Sequence, residues 1–341
     1  MPGKRDAAAR VLAGTGALDI ATALRRRFAR AVPILAYHRI LDVPNEDEFP
    51  FDIELVSASV SAFAEQMTFI KDQYQPITLA DLLACLDNER PPPRGAIVVS
   101  FDDGFADNYY NAFPILRRLG IPATIFLSTG YLDRQEMYWY EKLTHDVMTT
   151  RATQLRLLDE PPWAIGEDAR SRRSVMAELL RRLKRVRNPL RLGCLADLDR
   201  QLSPPKDCND DSRSGPMTWG QVAEMARAGI EFGSHSVTHP VLSMLDPAAL
   251  DFELQASKAS IEAVTGQPCQ TIAYPVGGVE TFNPQVQQAA QAAGYRLGLT
   301  YVTGVDVPAD WDPFALHRLH VERYTNIHRF RAMLAAPELF A

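Results

Sequence analysis

The stretch "VVSFDDGFADNY" (residues 98–109) decides how the rest of the chain is read. It continues the β-branched run "AIVVSF" (Ala96–Phe101), the pattern of a strand buried on both faces in a parallel sheet. Two adjacent carboxylates, Asp102 and Asp103, stand at the carboxyl end of that run, ahead of Gly104. Like charges this close resist ionising together, so positive charge has to come from elsewhere in the chain.

Working outward, short apolar runs alternate with helical spacing from about residue 33 onward. "VPILAY" (residues 32–37), "PATIFL" (122–127), "IEFGSH" (230–235), "TIAYP" (271–275), "YRLGLTY" (295–301) and "FALHRLHV" (314–321) read as further strands. Between them lie helices. One carries Phe63, Met67 and Ile70 on one side, and another carries Phe113, Leu116 and Leu119 and stops at Gly120. A third opens at Asp246-Pro247, a side-chain cap followed by a first-turn proline. Repeated strand–helix–strand order predicts a parallel α/β sheet with right-handed crossovers, doubly wound or closed into a barrel.

Residues 132–216 interrupt this rhythm. They hold Tyr138-Trp139-Tyr140, which either pack in a core or offer ring faces to a ligand, and the arginine-rich stretch "SRRSVMAELLRRLKRVRNPLRL" with helical apolar spacing. The polar loop "SPPKDCNDDSRSGP" follows. The whole reads as a helical insertion. The expected organisation is an N-terminal helical segment (1–31), a parallel α/β domain in two pieces (32–131 and 217–325), the insertion (132–216), and a C-terminal helix (326–341).

The chain has 341 residues, 46% apolar and 23% charged, with a net charge of −6. That is the profile of a globular protein able to bury a large core, and it argues against a nucleic-acid partner. Four cysteines without metal-finger spacing read as thiols rather than a disulfide framework. No run of 18 apolar residues occurs, so no transmembrane segment is expected. Asp19 and Arg25-Arg26-Arg27 interrupt the N-terminus, so no signal peptide is read there. Residues 17–31 form a basic amphipathic pattern, either packed on the domain or in peripheral contact with a membrane. The expected location is cytoplasmic, at the inner membrane face if that contact is made.

In parallel α/β folds, functional groups gather at the carboxyl ends of strands. Asp102 and Asp103 sit at one such end, and His235 at another, with His239 four residues on in "HSVTH". Two histidines so spaced can converge on one ion. Imidazole and carboxylate suit a zinc-like divalent metal, with a position left open for water. One aspartate would bind the ion while its neighbour handles a proton. Either motif alone arises by chance; both, each after an expected strand, carry the signal.

"SFDDG" together with "HSVTH" resembles the polysaccharide deacetylases of carbohydrate esterase family 4, the NodB-homology fold. "ILAYHRI", "FPILRRLGIPATIF" and "AYPVGG" are also similar to members acting on amino-sugar polymers. The resemblance spans roughly residues 32–321. It implies an irregular (β/α) barrel with fewer than eight units, here with a long, mostly helical insertion. It implies metal-dependent hydrolysis of an N-acetyl group on a polysaccharide, oligosaccharide or lipid-linked glycan. The same site would also serve a formamide, a cyclic imide or an O-acetyl ester, and a lapsed carbohydrate-binding protein is the non-enzymatic alternative.

Carried over by position, Asp102 is the general base, and Asp103, His235 and His239 are the metal ligands, for zinc first and cobalt or nickel otherwise. An oxyanion-binding N–H is implied near Tyr274 and Val276. Many members have a third-motif arginine that orients the base; here Ala273 occupies that position. The late histidine motif that supplies the acid matches only inexactly, in "LHRLHVER". Strand alternation puts Arg318 and His320 on one face. Arg318 is therefore expected to replace the missing arginine, with His320 as the acid. His38, at the end of the first strand, is a structural group or a substrate contact.

Overall fold

The run Ala96–Phe101 is a strand buried at every residue. In the structure, a computed structural model that describes residues 4–28, 31–202, 215–307 and 311–341, it is the second of seven barrel strands. These are β1 (Ile34–Tyr37), β2 (Ala96–Phe101), β3 (Thr124–Leu127), β4 (Glu231–Ser234), β5 (Thr271–Ala273), β6 (Leu297–Thr303) and β7 (Leu316–His320). Each pairs in parallel with the next, and β7 pairs back onto β1 through Leu35 and Leu319, closing the barrel. The resemblance's expectation of fewer than eight units is met by seven.

Side-chain alternation sorts the strands into two cores. Ile34, Val98, Phe126, Leu297, Leu299 and Leu316 fill the interior. Leu35, Tyr37, Val99, Phe101 and Leu319 face outward into the layer of surrounding helices. The helices flanking the strands are α1 (Lys4–Gly14), α2 (Ala17–Phe28), α3 (Val60–Gln73), α4 (Leu79–Asp87) and α5 (Phe113–Leu119). The interior cluster runs on into Leu79, Leu82 and Leu83 of α4. The Glu231 carboxylate at the start of β4 accepts the Leu79 and Ala80 N–H groups at 3.0 and 3.1 Å, which fixes α4 at the amino end of the barrel. The opposite end is left open.

The insertion leaves after β3. It comprises α6 (Thr129–Arg134), α7 (Trp139–Thr149), a small antiparallel ribbon, α8 (Ala169–Leu183) and α9 (Asn188–Leu202). The arginine-rich stretch is thus two helices. The first ends at Lys184, and Pro189 opens the second in its first turn, where a missing N–H costs nothing. Leu143, Val147, Met176, Leu179, Leu183 and Leu198 give the insertion its own core, joined to the barrel through Phe105. The polar loop falls, for residues 203–214, outside the described residues.

The chain returns through α10 (Trp219–Arg227), α11 (Pro247–Thr265) and α12 (Pro284–Ala292), each opened by a side-chain cap: Thr218, Asp246 and Asn283. The C-terminal segment is two helices, α13 (Ile327–Ala335) and α14 (Pro337–Phe340), because the residue before Pro337 is driven out of helical geometry. The N-terminal segment is likewise two helices. Ala9 and Leu18 are buried in the main core, and Asp19 pairs with Arg331 of α13. No single helix among the described residues is long and apolar enough to cross a membrane.

Candidate active site

The DDG turn sends its two carboxylates to different partners. Asp103 has φ +73° and Gly104 φ +84°, so the chain turns through two left-handed residues directly after β2. A Cβ at Gly104 would sit 2.6 Å from Leu127 Cδ2, so glycine is required both for space and for backbone. The turn is pinned from outside: the Tyr138 hydroxyl of the insertion donates to the Asp103 carbonyl at 2.9 Å.

Asp102 lies inside the open end of the barrel and meets Arg318 of β7. The guanidinium makes two parallel bonds to the carboxylate, Nη1 to Oδ1 and Nη2 to Oδ2, both 2.7 Å. Its Nε donates to the Thr300 carbonyl at 2.7 Å. Arg318 is fully buried. Burial works against the Asp102 charge, but the guanidinium outweighs it and holds this carboxyl well below the usual carboxylate range. The positive charge that the paired aspartates demand thus comes from Arg318, more than 200 residues away.

Asp103 points to the histidines instead. Its Oδ1 lies 3.5 Å from His235 Nε2 and 3.4 Å from His239 Nε2, and the three potential ligand atoms fall within 4.8 Å of one another. All three side chains are buried, and Asp103 Oδ1 accepts no hydrogen bond among the described residues. Burial, reinforced by the Asp102 charge, pushes the Asp103 carboxyl well above its usual range. Burial also lowers both imidazoles, so they stay neutral. His235 Nδ1 bonds the Ala273 carbonyl at 2.8 Å, which leaves the Nε2 lone pair free toward Asp103. An orphaned buried oxygen facing two neutral imidazole nitrogens is a donor set that fits a divalent cation.

The remaining candidates separate. His38 Nε2 stands 4.0 Å from Asp102 Oδ2, and burial pushes its pKa down to about 4. His320, the expected acid, keeps its Nε2 buried without a partner among the described residues. Its ring stacks flat on Tyr301 at 3.6 Å, and it is Tyr301 and His38 that line the cavity, not His320. Tyr274 lines the cavity, but the expectation of an oxyanion-binding N–H is corrected at this residue. Its N–H is already spent on the Leu299 carbonyl at 3.0 Å as β5 pairs with β6, and its hydroxyl donates to the Phe314 carbonyl. Val276, at φ +65°, lines the cavity, and its N–H has no acceptor among the described residues.

The cavity holding these groups has a volume of about 340 Å³, the scale of a small-ligand site. Its rim includes residues that the sequence reading did not single out: Asp52, Glu54 and Glu322 from barrel loops, and Lys184 at the end of α8. Tyr140 of the aromatic trio also lines it, while Tyr138 is wholly buried in the insertion core. Arg39 is fully buried between Asp107 (2.9 Å) and Glu141 (3.0 Å), tying the segment after β1, the residues after the DDG turn and α7 together. Arg39 follows His38 and Asp107 follows the DDG motif, so their nearness to the motifs was the one available sign.

A family model described as polysaccharide deacetylase matches residues 89–298. The Bacillus subtilis (strain 168) protein YxkH is 24% identical over 296 residues, covering 85% of this chain and 71% of its own length. The poly-beta-1,6-N-acetyl-D-glucosamine N-deacetylase of Escherichia coli (strain K12) is 30% identical over 90 residues, which is 26% of this chain and only 12% of that protein. Among solved structures, the Streptococcus pyogenes deacetylase PplD superimposes with a TM-score of 0.58 at 20% identity, covering 87% of this chain and 94% of that one. With the matched stretch spanning more than half of the sequence and carrying the aspartate pair and both histidines, the chain belongs to the polysaccharide deacetylase family.

Proposed function

We propose that the protein is a metal-dependent hydrolase that removes N-acetyl groups from an N-acetylated sugar polymer. The observation that carries this reading is the division of labour in the DDG turn: one carboxylate held ionised by Arg318, the other facing two neutral imidazoles, in one cavity. The family works with a divalent metal. Asp103, His235 and His239 would hold the ion, zinc first because two imidazoles and one carboxylate are a donor set that suits it. When bound, it would polarise the amide carbonyl and make a water acidic enough to ionise near neutral pH.

The chain's own groups supply the rest. Asp102, fixed by the Arg318 fork, takes the proton from the attacking water as its oxygen bonds to the carbonyl carbon. The Val276 N–H is the backbone donor for the oxygen that gains charge. His38, neutral at rest, stands 4.0 Å from Asp102, within reach through one water to receive that proton and pass it to the amide nitrogen. The C–N bond then breaks, giving acetate and a free amine.

The experiment is acetate release from N-acetylglucosamine oligomers after chelation and after adding back zinc, cobalt or nickel. Restored release supports the reading; no acetate with any ion overturns it. The reading extends to peripheral contact with an anionic bilayer through α1 and α2. Val11, Ile20 and Leu24 are exposed there, and residues 1–31 carry seven basic and two acidic side chains in an otherwise acidic chain. Cosedimentation with phosphatidylserine vesicles, lost on Leu24→Glu, is the expected result. Equal recovery with neutral vesicles contradicts it.

A further inference from the structure

The two histidines facing Asp103 are held in different ways. His235 is oriented through its ring, by the Nδ1 bond to Ala273. His239 has no such bond: its Nδ1 is buried and has no partner among the described residues. A ligand imidazole is ordinarily aimed by a partner on its second nitrogen. Something else must aim this one.

The backbone does so, under strain. His239 has φ +52°, a left-handed conformation that a non-glycine residue keeps only when its surroundings over-determine it. On the amide side, its N–H donates to Ser236 Oγ at 3.0 Å. On the carbonyl side, both donors come from the insertion. Trp139 Nε1 donates to the His239 carbonyl at 3.1 Å, and Arg191 Nη1 reaches the same oxygen at 3.4 Å. Arg191 is itself buried; Asn188 Oδ1 accepts from its Nε and Nη2 at 3.1 and 2.6 Å, and its guanidinium lies 4.7 Å from the Trp139 ring centre. The next residue, Tyr140, sets its ring against the His239 imidazole, 4.9 Å between centroids.

We infer that Trp139 and Arg191 are positioning residues for the metal ligand His239, so that the insertion is a working part of the metal centre. Their grip on one carbonyl fixes the backbone from which the imidazole is aimed, in place of the missing ring bond. This rests on the reading that Asp103, His235 and His239 hold the ion.

The test uses cobalt(II) as both ligand and probe on the full chain, by calorimetry and by the visible spectrum of the loaded protein. Trp139→Phe and Arg191→Met are expected to weaken cobalt binding about 10- to 100-fold, the usual size of a lost supporting contact, and to shift the visible band. Arg191→Lys should recover part of the affinity. Leu198→Ala, a cavity in the insertion core away from His239, is the control and should leave affinity within about two-fold. Wild-type affinity and spectrum in both Trp139→Phe and Arg191→Met overturn the inference, as does an equal loss in Leu198→Ala. Wild-type protein that takes up no cobalt would instead overturn the metal-centre reading beneath it.

Discussion

Replacing Arg318 by methionine keeps most of the side-chain volume and removes the charge that Asp102 depends on. Four bonds go at once: the two 2.7 Å contacts to the carboxylate, the Nε bond to the Thr300 carbonyl and a 3.4 Å contact to Ser100 Oγ. Removing one partner of a buried pair costs about 3–5 kcal/mol, because the other charge is left uncompensated. An independent bound agrees. The stranded carboxylate can escape by taking up a proton, which costs an ordinary aspartate about 4 kcal/mol at pH 7. That escape fixes the sign with pH. In the variant the folded-state pKa of Asp102 lies above its unfolded value, so the lost stability returns as pH falls, to a deficit of about 1.5 kcal/mol at pH 5. Urea unfolding of chelator-treated protein, followed by far-ultraviolet circular dichroism, reads the difference. Asp102→Asn combined with Arg318→Met should recover part of it, since no charge is stranded, and Arg318→Lys should fall between. An Arg318→Met protein within about 1 kcal/mol of wild type at pH 7 would refute the claim that this ion pair is what holds Asp102 ionised.

Two further outcomes follow from the same geometry. His38→Gln should lower kcat by about 10²- to 10⁴-fold, the usual worth of a positioned acid–base group, with cobalt affinity retained, whereas His320→Gln should stay within a few-fold of wild type. The reverse order, measured by acetate release, would return the acid role to His320. Gly104→Ala should lower stability by about 1–3 kcal/mol, because it combines strain at φ +84° with a contact at 2.6 Å. A melting temperature equal to wild type would mean that the turn is not built as described.

The strands were legible because each is short, apolar and bounded by turn residues, and the two motifs were legible because each directly follows a strand. What the sequence hid depends on pairing across the closed barrel or on contacts with the insertion. Whether Tyr274 keeps a free N–H is decided by Leu299, its partner across β5 and β6. Alternation correctly sets Arg318 and His320 on one face, yet the Tyr301 ring takes up His320 and leaves His38 beside Asp102. The carbonyl grip on His239 joins positions 100 and 48 residues away, with no spacing that a linear pattern could reveal. Arg39, Asp107 and Glu141 are buried charges whose mutual pairing appears only in three dimensions.

The most direct test of the central claim is an anomalous diffraction map from zinc-soaked crystals, recorded at the zinc edge. The account predicts one strong peak about 2.0–2.2 Å from an Asp103 oxygen and the Nε2 atoms of His235 and His239, with Asp102 still bonded to Arg318. A peak ligated by Asp102, or none near the two histidines, would contradict the division of labour on which the proposed hydrolysis rests.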